Sequence, residues 1–200
     1  MKNNKVFINL VIVLITGSMT MFAQETGVVI NGVKWATRNV DVPGTFTENP
    51  ESIGMIYQWN KNKAWPATGK VTGWNPSNAS GNTWEKSNDP SPAGWRVPTY
   101  EEIKQLIDTV KVKNEFVSVN GAWGQRFTDK ETSNTIFIPF SPNRKYTDGS
   151  INSNLSSGYW SSTQADNDGG KAKGFLLILN QIAEITGQRS SGHLVRPVAE

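Results

Sequence analysis

Gly94-Trp95-Arg96-Val97-Pro98-Thr99-Tyr100-Glu101-Glu102-Ile103 decides how this chain is read. Thr99 can cap a helix and Glu102, three residues on, can complete a reciprocal capping box. Ile103, Leu106, Ile107 and Val110 then recur at helical spacing on one face, which predicts a helix over about 99–110. Trp95-Arg96-Val97-Pro98 leads straight into it. Two more blocks of the same type follow: Gly158-Tyr159-Trp160-Ser161-Ser162-Thr163, and Gly192-His193-Leu194-Val195-Arg196-Pro197-Val198. Each sets a large aromatic or an arginine beside residues that turn or hydrogen-bond. They span about a hundred residues, and one domain has to bring them together.

Upstream, Val28-Val29-Ile30-Asn31-Gly32-Val33-Lys34-Trp35 predicts a hairpin. Asn-Gly between β-branched runs supplies the positive φ angles of a type I′ turn. Gly54 to Trp59 reads as a short strand. Residues 60–92 have little period of either kind, but Trp65, Trp74 and Trp84 recur there among Asn, Gly and Pro, as in a long loop folded over the domain and held by its indoles. Downstream of the helix, strand-like runs cover Phe116–Val119, Thr135–Phe140, Gly158–Ser162, Gly174–Leu179, Ala183–Thr186 and Leu194–Val198. The order of hairpin, long loops, one helix and then strands predicts an α+β domain.

The first 23 residues are set apart as a secretory leader. Lys2 and Lys5 precede an apolar run from Val6 to Ile15, and small residues lead to Met21-Phe22-Ala23 before Gln24. The run is short for a transmembrane helix, and no second such stretch follows. The expectation is an exported single domain over residues 24–200, in the periplasm, at the outer surface or secreted. The 200-residue sequence has no cysteine. That excludes a lipid-modified cysteine, a disulfide, a thiolate metal site and a cysteine nucleophile within it. Without Lys2 and Lys5 the formal charge of +3 falls close to zero, and the remaining lysines are scattered through Gly/Asn-rich loops, so nucleic acid is not an expected partner.

Five blocks together resemble the Fibrobacter succinogenes major paralogous domain: Trp35-Ala36-Thr37-Arg38-Asn39-Val40, Gly54 to Trp59, Pro92 to Glu102, Tyr159 to Thr163 and Val195-Arg196-Pro197-Val198. The resemblance runs from about Val28 to Val198. That family occurs in secreted and surface proteins of Bacteroidetes-like bacteria and is similar to the C-type-lectin-like fold shared with formylglycine-generating enzymes. It implies that the N- and C-terminal strands pair, joining Val28–Trp35 to Leu194–Val198. Ser91-Pro92 stands where many members carry Cys-Pro, so a disulfide is missing. Formylglycine generation needs cysteines and is excluded here.

The reactive residues read as structural. His193 is the only histidine, and Ser161, Ser162, Ser190 and Ser191 have no Gly-x-Ser-x-Gly elbow with them. An ordinary hydrogen-bonded histidine at the surface or at an edge strand is expected. Glu101 and Glu102 suit a helix N-terminus, and Asp129 and Glu131 a polar loop. Arg96 and Arg196 are expected to tie loop carbonyls or a carboxylate. Asp166-Asn167-Asp168-Gly169-Gly170 offers hard oxygen ligands, making Asp166 and Asp168 the weak calcium candidate, but a tight turn needs the same residues. No other metal or cofactor is expected.

Of the eight tryptophans, Trp35, Trp59, Trp95 and Trp160 fall in the shared blocks and are expected in the core. Trp65, Trp74, Trp84 and Trp123 are freer to form a surface platform for sugar rings, Trp74 and Trp84 first. In lectin-like folds the C-terminal region displays ligand-binding side chains. The resemblance thus implies Tyr159, Ser161, Gln164, Asp166, Asn167 and Asp168 as ligand-facing, the alternative being a plain solvent-exposed hairpin. The expected function is a non-enzymatic binding or adhesion module for a glycan or surface protein. A structural or assembly subunit of the cell surface is the alternative, and a glycan hydrolase comes third.

Overall fold

A computed structural model describes residues 24–152, 156–165, 169–179 and 181–200. Residues 1–23, expected as a leader, and Asp166-Asn167-Asp168 lie outside the described residues. The fold is α+β: four small antiparallel sheets and, among the described residues, one α-helix. In chain order the elements are β1 (Val28–Ile30), β2 (Val33–Trp35), β3 (Tyr57–Gln58), β4 (Trp95–Arg96), α1 (Tyr100–Ile107), β5 (Val112–Val119), β6 (Ala122–Asp129) and β7 (Thr135–Pro139). They continue with β8 (Asn143–Arg144), β9 (Ile151–Asn152), β10 (Ser156–Gln164), β11 (Lys171–Ile178), β12 (Gln181–Gln188), β13 (Gly192–His193) and β14 (Val198–Ala199).

The first hairpin forms as its turn dictates. Asn31 and Gly32 take φ of 45° and 80°, and Ile30 faces Val33 across them. The hairpin then meets the far end of the chain, since Val198 of β14 pairs with Trp35 on one side and with Arg96 on the other. Ala36 and Val40 extend this seam by donating to the carbonyls of Pro197 and Val195. Residues 195–197, expected as strand, are therefore joined by single hydrogen bonds rather than by a ladder, because Pro197 has no N–H to give.

The helix is capped as its sequence requires. The Thr99 hydroxyl accepts from Glu102 N, and the Glu102 carboxylate accepts from Thr99 N at 2.7 Å. Ile103 and Leu106 are fully buried, each stabilising by about 1.5–3 kcal/mol relative to exposure. The helix stops at Ile107, short of Val110, which is 80% exposed. The Asp108 carboxylate accepts from Val110 N at 2.9 Å, giving the backbone a turn in place of another helical bond.

β10 is the hub. It pairs with β11, its Trp160 N donates to Leu194 O, its Ser162 N donates to Pro98 O, and it accepts Trp84 N at Ser162 O. The three blocks around Pro98, Trp160 and Leu194 thus meet on one strand, with both of its faces buried. A Cβ at Gly158 would run into the His193 ring, so the crossing of β10 and β13 needs glycine there. One core cluster gathers Ile30, Trp35, Ile103, Leu106, Tyr159 and Phe175, and a second gathers Tyr57, Trp59, Trp84, Val97 and Trp160.

Two buried arginines hold the aperiodic stretch that follows β3. Arg144 donates to the carbonyls of Pro66, Thr68, Gly69 and Gly149, and Arg189 to those of Ala79, Gly81 and Lys171. The Arg189 guanidinium also lies over the Trp59 ring, 4.2 Å from its centroid. A guanidinium can satisfy four or five loop carbonyls at once, which a lysine cannot.

Candidate functional site

Each reactive group is held by its surroundings. His193 is buried on β13, not at the surface. Asn143 Oδ1 lies 3.0 Å from its Nδ1 and also accepts from Gly158 N, so the shared oxygen assigns the proton to Nδ1. Burial lowers its pKa to about 3, leaving it neutral. It faces Asn143 and Trp160. Ser161 Oγ, by contrast, donates to Lys173 O at 2.7 Å. Ser and His are thus spent on separate structural bonds.

Glu102, Glu25 and Asp129 are likewise engaged. Burial would raise the pKa of Glu102, but bidentate bonds from Arg96 at 2.8 and 2.5 Å, with those from Thr99, hold it below the ordinary value. Glu25 follows the same rule with Arg38 and Thr37. It forms part of the wall of a groove of about 600 Å³ that also includes Asp41, Phe46 and Glu48. Asp129 closes β6 rather than lying in a solvated loop. Its carboxylate accepts from the amides of Thr132, Asn31 and Glu131, which keep its pKa low. Among the described residues no three His, Asp or Glu side chains cluster as metal ligands.

Among the described residues, the expected binding residues do not form one surface. Tyr159 is fully buried, stacked on Phe175 with its hydroxyl donating to Pro139 O at 2.7 Å, and burial raises its pKa to about 12. Ser161 is fully buried too. Every side chain on the middle of β10 meets protein, because the strand has β11 along one edge and β13 crossing it. Trp84, 6% exposed, packs on Trp59 and donates to Asn88 O, so it belongs to the core and not to a platform. Trp65 is buried as well. Trp74 is half-buried, its ring 5.0 Å from that of Trp65 and its Nε1 donating to Tyr146 O. Gln164 is half-buried and accepts from Arg189. Loop tryptophans surrounded by small residues are exposed in sequence but covered in space, since the loop itself folds back on them.

Trp123 is the indole that stays in solvent, at 56% exposure. It stands on β6, opposite Ser118 on β5, beside a type I′ turn in which Asn120 and Gly121 have φ of 49° and 85°. Phe116 lies parallel beneath it, with centroids 4.8 Å apart and planes within 7°. Phe140 meets Phe116 edge-on at 5.7 Å. Asn120 Nδ2 donates to Glu51 Oε1 at 2.7 Å at the same hairpin end. The result is a flat aromatic face with amide, hydroxyl and carboxylate groups around it. The signal was available in the sequence: Phe116 and Trp123 flank an Asn-Gly pair at positions that an ideal two-residue turn puts on one face.

No family model matches the chain, and no curated protein or solved structure matches it either. Among the described residues, no helix is long and apolar enough to cross a membrane.

Proposed function

We propose that this chain is an exported, non-enzymatic binding or adhesion module of C-type-lectin-like type, recognising a glycan or a surface protein through its C-terminal half. The observation that carries the reading is the Phe116–Trp123 stack, an aromatic face left in solvent on a scaffold that buries most of its other large rings. The β2–β14 seam between the two ends of the chain supports the lectin-like part. The buried, neutral His193 and the engaged Glu25 and Glu102 favour binding without a covalent step.

A structural or assembly role has its own support. Among the described residues, β12 is an eight-residue strand paired along its β11 side alone, and such an edge can accept another strand. Glycan-array binding of the purified protein, in calcium and in chelator, tests the first reading. Saturable binding supports it, and calcium dependence would direct attention to Asp166 and Asp168. A blank array together with co-purification in envelope assemblies would overturn it in favour of the second.

A further inference from the structure

The β5–β6 hairpin end carries more than an exposed ring. Phe116 backs one face of the Trp123 indole and fixes its plane, so the other face is presented without the freedom of an isolated side chain. Gln125, two residues on and on the same face of β6, is 1% exposed. Its Nε2 donates to Leu179 O, which ties the turn after β11 to this sheet. Its Oε1 is buried without any hydrogen-bond partner among the described residues.

Leu179 is anomalous in its own right. It sits at φ 36°, a region that suits Gly or Asn, yet it is a 46% exposed leucine. Neither backbone preference nor core packing accounts for leucine at that tip.

We infer that Trp123, with Phe116 behind it, is the stacking surface for a pyranose ring of a neutral oligosaccharide. This rests on the binding-module reading and gives that site its ligand class. A pyranose has a flat C–H face and a rim of hydroxyls. The stack supplies the flat apolar floor, and Ser118 and Asn120 supply hydroxyl and amide partners for the rim. Glu51, held ionised by the bond from Asn120, sets a negative charge at the edge of this face, which disfavours an acidic saccharide.

Isothermal titration of the purified protein with cellohexaose, xylohexaose and mannohexaose tests the assignment, using wild type, Trp123→Ala, Trp123→Tyr and Trp74→Ala. The expected result is saturable binding of at least one hexaose, weakened about tenfold or more by Trp123→Ala, largely restored by Trp123→Tyr and unchanged by Trp74→Ala. Binding that survives Trp123→Ala intact overturns the site while leaving the binding-module reading standing. No hexaose binding by wild type, with capture of a protein partner that Trp123→Ala abolishes, overturns the saccharide assignment. No ligand of either kind overturns both. Trp123 is exposed, so the alanine variant is expected to fold, and unchanged far-UV circular dichroism verifies this.

Discussion

The imidazole of His193 stands edge-on to the Trp160 indole, with ring centroids 4.4 Å apart and planes inclined by 72°. The ring is largely withdrawn from water, which disfavours the charged imidazolium in the folded protein. Burial lowers the folded pKa to about 3, against an ordinary value of 6.5. Between these values the unfolded chain binds a proton that the folded chain does not. The stability contributed by neutral His193 is therefore complete above pH 6.5 and is lost as pH falls towards 3. Urea unfolding between pH 6.5 and 5, where carboxylates hardly titrate, should show a loss approaching about 1.4 kcal/mol per pH unit. His193→Gln should flatten that slope, and an unchanged slope in the variant would reject the assignment.

Gly158 lies against the same ring. Adding a methyl group there places it inside the His193 imidazole, on a strand held on both sides. Gly158→Ala is expected to destabilise the protein by about 3 kcal/mol, measured as a shift in urea midpoint. Gly32→Ala, where nothing lies within 4 Å, makes a useful contrast because only its positive φ is penalised.

Removing the Thr99 hydroxyl leaves Glu102 N without its cap. Thr99→Ala should cost about 1 kcal/mol, while Thr99→Ser should cost much less. Thermal unfolding of the two variants checks the ordering.

Arg144→Lys keeps the charge and loses the fork that binds Pro66, Thr68, Gly69 and Gly149. A destabilisation of about 2–4 kcal/mol is expected, with the 66–69 loop opening first. Limited trypsin digestion should then cut after Lys70 faster than in wild type.

Leu179→Asn should act in the other direction. The change relieves a left-handed leucine and removes an exposed apolar side chain, and a gain of up to about 1 kcal/mol is expected in chemical denaturation. A loss of stability would mean that Leu179 packs in a way its exposure does not reveal.

Local chemistry made the first hairpin and the capped helix legible: Asn31-Gly32 and Thr99/Glu102 each encode their conformation within four residues. The meeting of the Pro98, Trp160 and Leu194 blocks was legible because aromatic anchors and turn residues recur together. β6 was not anticipated. Gly124, Gln125 and Arg126 interrupt its apolar pattern, and its buried Gln125 looks like a surface residue until its partner strands are known. Arg144 and Arg189 were equally silent, since an arginine that collects backbone carbonyls needs no particular neighbour in sequence. The burial of Trp84, Tyr159 and Ser161 was illegible for a related reason. Trp84, Tyr159 and Ser161 sit in polar, turn-rich sequence, but long-range strand contacts bury them, whereas Trp123 on a short-range hairpin is covered on one face by Phe116 and stays 56% exposed.

The central claim is recognition without chemistry. It is tested most directly by incubating the protein with polysaccharides that it retains and following both bound protein and newly formed reducing ends. Saturable retention with no time-dependent release of reducing ends is the predicted result. Steady release that disappears when a single carboxylate, such as Asp41 or Glu48, is changed to its amide would contradict it.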